Sequence, residues 1–151
     1  MKKFTLILLP VLLAGAFMLF REGKGVNGTV TLYKTESCGC CALWGDHMKE
    51  NGFRVQSVNV EDLPLIKSQY QVERSLDSCH TAIIDGYVIE GHVPSREVKR
   101  LLEERPNAIG LAVSGMPIGS PGMEMDGHPG DTFDVILFRR DGAHEVYASY
   151  H

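Results

Sequence analysis

Three of the chain's four cysteines fall within four residues, Cys38-Gly39-Cys40-Cys41. The cluster stands between an apolar run (Val30, Leu32, Tyr33) and a helical pattern (Leu43, Trp44, His47, Met48). A strand–Cys-x-x-Cys–helix order puts sulfur at a helix N-terminus. There the unpaired N–H groups and the helix dipole favour thiolate over thiol. Thiolate is the form that attacks disulfides and binds soft metals. The pattern therefore points to two chemistries, disulfide exchange and capture of a thiophilic metal.

A chain of 151 residues supports one domain with a real core. Its charged and hydrophobic fractions, 23% and 44%, argue for a globular fold rather than disorder. The net charge is −4, with no basic run and no basic–aromatic interleaving, which speaks against nucleic acid as a partner.

The first 20 residues read as a signal peptide or an N-terminal membrane anchor. Met1-Lys2-Lys3 is basic, and the stretch from Phe4 is apolar. Ala14-Gly15-Ala16 offers a small-x-small cleavage site. Uncleaved, the apolar run from Phe4 to Phe20 has 17 residues, the lower limit for spanning a bilayer. Either way the lysines keep the N-terminus inside and place the body in the periplasm or another extracytoplasmic space. Membrane association is expected only through this segment. Residues 21–28 read as a glycine-containing linker, and 29–151 as the folded domain. In an oxidising compartment four cysteines usually mean structural disulfides. Adjacent Cys40 and Cys41 make poor staples, however, and a Cys38–Cys41 bridge closes too small a loop to support a core.

Along the domain, Thr29–Lys34 alternates as a strand and residues 42–51 form a helix stopped by Gly52. Residues 53–60 form a second strand, and 63–70 a short helix opened by Pro64. Thr81–Ile84 and Tyr87–Glu90 flank Asp85-Gly86, a strong hairpin signal. Ser95 is placed to cap a third helix with the stripe Val98, Leu101 and Leu102. The order β-α-β-α-β-β-α is that of α/β thioredoxin-like folds with a mixed four-stranded sheet, and its active loop lies at the carboxyl edge of the strands. Residues 109–113 are apolar. An irregular Met/Gly/Pro loop follows over 115–130, long enough to be functional or mobile. A final hairpin then runs through Phe133–Phe138 and residues 145–150.

Cys38 and Cys41 have the spacing of a redox or metal pair. Cys40 would interfere with clean two-thiol exchange through mixed disulfides, whereas a metal site gains a soft ligand from it. Cys79-His80 precedes the third strand, where a thioredoxin-like arrangement usually faces a cis proline toward the Cys-x-x-Cys loop. Here thiol and imidazole take that place. Met116 and Met123 offer thioethers suited to Cu(I). Met125 and His128 are weaker candidates, and Met side chains also simply fill gaps under loops. His92 can orient the site, supply a ligand or bond a backbone carbonyl, the last being favoured. His47, Trp44 and Met48 read as packed residues. No paired carboxylates, Gly-x-Ser-x-Gly or phosphate loop suggest hydrolysis.

Five ordered motifs resemble a bacterial exported metal-binding, copper-resistance-associated family catalogued as a domain of unknown function (the DUF411 type). They are Cys38-Gly39-Cys40-Cys41, Ser78-Cys79-His80-Thr81-Ala82, Asp85-Gly86-Tyr87, Glu90-Gly91-His92-Val93-Pro94, and the run from Gly115 to Glu124. The resemblance spans about residues 29–150. It implies a thioredoxin-like domain binding copper, Cu(I) above all, outside the cytoplasm. The implied site is Cys38, Cys40, Cys41, Cys79 and His80, with Met116 and Met123 as loop partners. The expected role is Cu(I) sequestration or delivery without turnover, with a copper donor or acceptor protein as partner. Zn(II) is the competing metal for a closed sulfur set. The alternative is a thiol–disulfide oxidoreductase with Cys38 as nucleophile and Cys41 as resolving thiol.

Overall fold

Alternation along the chain decides which side chains go inside. In the computed structural model, which describes residues 28–151, strand β1 (Thr29–Lys34) buries Val30 and Leu32 on one face. Helix α1 (Gly39–Glu50) buries Cys41, Trp44, Gly45 and Met48, a stripe at helical spacing. It ends at Asn51 and at Gly52, whose φ of 93° suits a helix stop. Strand β2 (Arg54–Asn59) returns parallel to β1. Helix α2 (Leu63–Gln69) starts where the Asp62 carboxylate accepts from the Leu65 amide (3.0 Å).

A single 3-10 turn (Arg74–Leu76) leads into the hairpin β3 (Thr81–Ile84) and β4 (Tyr87–Glu90), turning at Asp85-Gly86 as expected. Helix α3 (Ser95–Glu104) buries Val98, Leu101 and Leu102. Strands β5 (Gly110–Ala112), β6 (Phe133–Phe138) and β7 (His144–Tyr150) complete the chain.

The sheet has the order β2-β1-β3-β4-β5-β6-β7. Its first four strands are the expected mixed unit: β1 pairs parallel with β2 and antiparallel with β3, and β3 pairs antiparallel with β4. The expectation of four strands falls short. The run at 109–113 joins β4 in parallel, and the terminal hairpin pairs onto β5, so the irregular loop is a connection within one continuous sheet. The physical reason is that β5 is buried at every residue, which no edge strand would be.

Two apolar clusters form. Trp44, Met48, Val98 and Leu101 pack with Val30, Leu32, Ala82, Ile84, Ile89, Leu111, Val135 and Leu137. Leu76, Val88, Ile109, Ala112 and Phe138 form the second cluster, with Tyr70, Val72, Ile83 and Ile136 against it. Consecutive residues of β3, β4 and β6 thus feed opposite clusters, as the pleat requires.

Two helix starts differ from expectation. Helix α1 begins at Gly39 rather than 42, so Cys40 and Cys41 lie inside its first turn. Ser95 is the first residue of α3 rather than its cap; Pro94 holds that place. The Ser95 amide instead donates to His47 Nε2 (3.1 Å), so a side chain from α1 satisfies an N-terminal amide of α3. The expected leader at residues 1–20 and the linker up to residue 27 lie outside the described residues. Among the described residues no helix is long and apolar enough to cross a membrane.

Candidate metal centre

The hairpin register builds half of the site. Thr81 pairs with Glu90, and one step further the Gly91 amide donates to the His80 carbonyl (3.0 Å). The next opposed pair is Cys79 and His92. Glycine is needed at 91. Its φ is 70°, and a Cβ there would sit 2.4 Å from Ser78 Oγ and 2.5 Å from the Val113 carbonyl oxygen. Below the pair, fully buried Glu90 accepts from the Ser78 amide (2.8 Å) and Thr81 Oγ1 (2.6 Å) and ion-pairs with Lys67 of α2. Lys67 also meets Asp77 at 3.1 Å. This network fixes residues 77–81 beneath the first turn of α1.

The other half is the cysteine triplet. Cys38 is the residue that precedes α1, and no side chain caps the helix there. Cys38 and Cys41 form a disulfide, while Cys40 and Cys79 are free thiols. The sequence reading gave little weight to this bridge as a staple, and a four-residue loop indeed adds little restraint to the unfolded chain. Cys38 is half-buried and Cys41 fully buried, so Cys38 is the sulfur of the bridge that an incoming group can reach. Cys40 Sγ lies 3.7 Å from Cys38 Sγ and 3.8 Å from Cys79 Sγ. Cys41 Sγ lies 3.4 Å from the Cys79 carbonyl oxygen. All four sulfurs fall within 4.8 Å of one another. Two sulfurs bound to one tetrahedral metal at about 2.3 Å stand about 3.8 Å apart. The Cys40–Cys79 spacing already meets that figure.

Cys79 also faces two histidines, with Sγ 3.4 Å from His80 Nδ1 and 2.9 Å from His92 Nε2. His92 Nδ1 donates to the Pro121 carbonyl (2.8 Å), which fixes Nε2 as the acceptor of the Cys79 thiol in the neutral pair. Burial, then Cys40, pushes the Cys79 thiol up to about 12. Burial also holds His92 below its usual value, and His80 well below it with help from His92 and Lys67. His80 is fully buried, against Trp44 (ring centroids 4.6 Å) and His92 (5.0 Å), and its Nε2 has no hydrogen-bond partner. His80, a candidate ligand by its place next to Cys79, is thus an interior residue rather than a surface one. His92 was expected to bond a backbone carbonyl and does so, but its second nitrogen turns to the thiol. Counting back from the Asp85-Gly86 turn would have placed it opposite Cys79.

The irregular loop closes over this region at one defined point. Gly122 (φ 83°) comes so near α1 that a Cβ would lie 2.7 Å from the Trp44 amide nitrogen and 2.9 Å from the Cys40 carbonyl oxygen. Met123 follows it and is half-buried, its amide donating to the Ser120 carbonyl. Met116 is exposed, one residue beyond Gly115, which bonds the Asp77 carbonyl and Ser78. Met125 and His128 are exposed. The loop therefore brings the backbone before Met123 onto the first turns of α1 and places Met116 next to the Gly115–Ser78 bridge, and leaves Met125 and His128 in solvent. His47 sits at the α1–α3 junction, apart from the sulfurs.

A family model described as "Protein of unknown function, DUF411" matches residues 76–123, the stretch from the end of the 3-10 turn through Met123. Two solved structures match over most of the chain. "Copper resistance protein copG- Form 2" is 39% identical with a TM-score of 0.79, covering 83% of this chain and 99% of that one. "Copper resistance protein copG- Form 1" is 41% identical with a TM-score of 0.76, covering 81% and 96%. The chain belongs to the DUF411 copper-resistance family. No curated protein matches it. The family match thus includes both Cys79-His80 and the loop that Gly122 seats on α1.

Proposed function

We propose that this DUF411 protein is an exported copper-binding protein that holds Cu(I) for sequestration or delivery, on a thioredoxin-like scaffold, without turnover. One observation carries the reading: sulfurs from two segments 38 residues apart, Cys41 and Cys79 among them, converge within 4.8 Å. A donor set of sulfur alone favours a soft cation, and Cu(I) is the soft member of the metals that cells handle. The two copG relatives carry copper resistance in their names, which supports copper over the competing Zn(II).

Cys40 and Cys79 are available as they stand. Cys38 and Cys41 become ligands only after an external dithiol reductant gives two electrons and two protons to their disulfide and is itself oxidised to a disulfide; binding Cu(I) then displaces thiol protons to solvent. His80 steadies Cys79 or joins it as a ligand. Met123 shields the metal from water and oxidant, with Met116 at the rim. Ligand exchange with a copper donor or acceptor protein transfers the ion. Disulfide chemistry fits export through the segment at residues 1–20.

The Cys38–Cys41 bridge favours a second reading, a thiol–disulfide oxidoreductase in which Cys38 attacks and Cys41 resolves. One experiment separates the two. The reduced protein is titrated with Cu(I) anaerobically while disulfide reduction is assayed in parallel. Stoichiometric Cu(I) binding, weakened at least tenfold in Cys38→Ser and Cys79→Ser and unaccompanied by turnover, supports the copper protein. Metal-independent turnover lost in Cys38→Ser, with weak Cu(I) binding, overturns it in favour of the enzyme.

A further inference from the structure

The segment from Val113 to Met123 is tied down at both ends. At the hairpin end the Val113 amide donates to the Glu90 carbonyl (3.0 Å), the Ser114 hydroxyl to the Ser75 carbonyl (3.0 Å) and the Gly115 amide to the Asp77 carbonyl (2.9 Å). The Ser78 hydroxyl donates to the Gly115 carbonyl, and these two residues form a parallel bridge outside the named strands. At the helix end Gly122 lies on the first turns of α1, and the Pro121 carbonyl accepts from His92. Between the ends a turn closes on itself. The Ser120 amide and hydroxyl both donate to the Pro117 carbonyl (3.2 and 2.7 Å), and the Met123 amide donates to the Ser120 carbonyl (2.8 Å). Ser120 and Gly122 are buried while Gly115, Met116 and Gly119 are exposed, so the segment lies as a strap with one side down.

The strap takes up a backbone edge directly before Cys79. An extended peptide that brings a disulfide to these thiols would gain most by adding its own backbone to such an edge. In this protein the Asp77 carbonyl and Ser78 already pair with Gly115, and the Ser78 amide is held by Glu90. Disulfide exchange also needs the attacking sulfur in line with the bond it breaks, so the chain that carries the bond must come close. An ion or a small molecule needs no backbone edge.

We infer that the strap decides what the Cys38–Cys41 pair reacts with: it stands in for a partner's backbone at Asp77-Ser78, shuts protein disulfides out, and lets ions and small disulfides pass. With a small disulfide the reduced pair reacts in two steps. The Cys38 thiolate attacks, forms a mixed disulfide and expels one thiolate of the small molecule. Cys41 then attacks the Cys38 sulfur, closes the bridge and releases the second thiolate. Two electrons and two protons pass from the pair to the small disulfide. A copper partner needs only one protruding ligand side chain, so ligand exchange stays open. The inference does not rest on Cu(I) binding.

The full chain, reduced and metal-free, is mixed with excess insulin or with excess bis(2-hydroxyethyl) disulfide and quenched by alkylation, and closure of the Cys38–Cys41 bridge is followed by mass. The parent is expected to close at least a hundredfold more slowly with insulin than with the small disulfide. Ser78→Ala removes the side-chain bond to Gly115, and Gly122→Ala lifts the strap from α1. Each is expected to raise the insulin rate at least tenfold and to keep the small-disulfide rate within twofold, a split that misfolding or altered thiol chemistry would not give. Hydrogen exchange at the Gly115 amide reports on the strap itself and is expected to quicken at least tenfold in Ser78→Ala. Insulin closing the parent bridge as fast as the small disulfide overturns the inference. So does a variant whose Gly115 amide exchanges faster without any gain in the insulin rate, or a parent Gly115 amide that already exchanges as an unpaired one does. Cu(I) titration of the reduced parent is read separately. Its failure with the insulin split intact counts against the copper reading alone, and firm Cu(I) binding by a parent that also reacts with insulin counts against the strap alone.

Discussion

Cys79 concentrates the chemistry at the level of single residues. It is the sulfur that comes from outside the triplet, and it touches Cys40, His80 and His92. Burial keeps its thiol protonated at neutral pH, so a metal must displace that proton. The three histidines around it and behind α1 respond to pH in the same sense. Burial lowers His80, His92 and His47 below the usual 6.5. A histidine so lowered binds fewer protons folded than unfolded. Its contribution to stability is complete above pH 6.5 and is lost as the pH falls from there through the folded values. Metal-free protein is therefore expected to unfold at lower denaturant concentration at pH 5.5 than at pH 7.5. Chemical unfolding at the two values checks this, and a midpoint that rises on acidification contradicts it. Protonated His47 would also lose its role as acceptor for the Ser95 amide.

Elements set where those residues stand, and two are held by single features that can be removed. Glu90 ties the end of β4 to the Ser78 amide and to α2 through Lys67. Glu90→Ala leaves Lys67 nearly buried with half-exposed Asp77 as its one remaining carboxylate and the Thr81 hydroxyl as a neutral acceptor. Breaking a buried pair in this way costs about 3 kcal/mol. Equilibrium unfolding is expected to show a loss of that size together with weaker Cu(I) binding; an unchanged midpoint contradicts the role given to Glu90. Gly122 is the second feature. Gly122→Ala forces a Cβ into the α1 backbone at an unfavourable φ, and the expected loss is about 2 kcal/mol. Limited proteolysis should cut the loop at 117–127 faster in this variant. Equal cutting rates would show that the loop is not seated on α1.

At the largest scale, the described residues form a seven-stranded sheet with their cysteine–histidine cluster where the α1 start, the open end of the β3–β4 hairpin and the Gly/Pro/Met loop meet. Much of this was legible in the chain. The β3 and β4 boundaries followed from Asp85-Gly86 between β-rich runs, and the strand–helix transition at the cysteines followed from the change of period. What escaped was non-local. The joining of β5, β6 and β7 to one sheet depends on pairing across long separations, which local pattern does not encode. The Cys38–Cys41 bridge is a matter of redox state, which spacing alone leaves open. The burial of His80 depends on Trp44 reaching across from α1, where its indole nitrogen donates to the Val93 carbonyl (2.9 Å).

The claim beneath the copper reading is that the Cys79 sulfur and the triplet share one metal. Copper-edge X-ray absorption on the reduced, Cu(I)-loaded full chain and on Cys79→Ser tests this most directly. The account predicts a sulfur-dominated first shell in the parent protein and fewer sulfur neighbours per copper in the variant. Superimposable spectra from the two proteins, or a first shell made of nitrogen and oxygen, would contradict it.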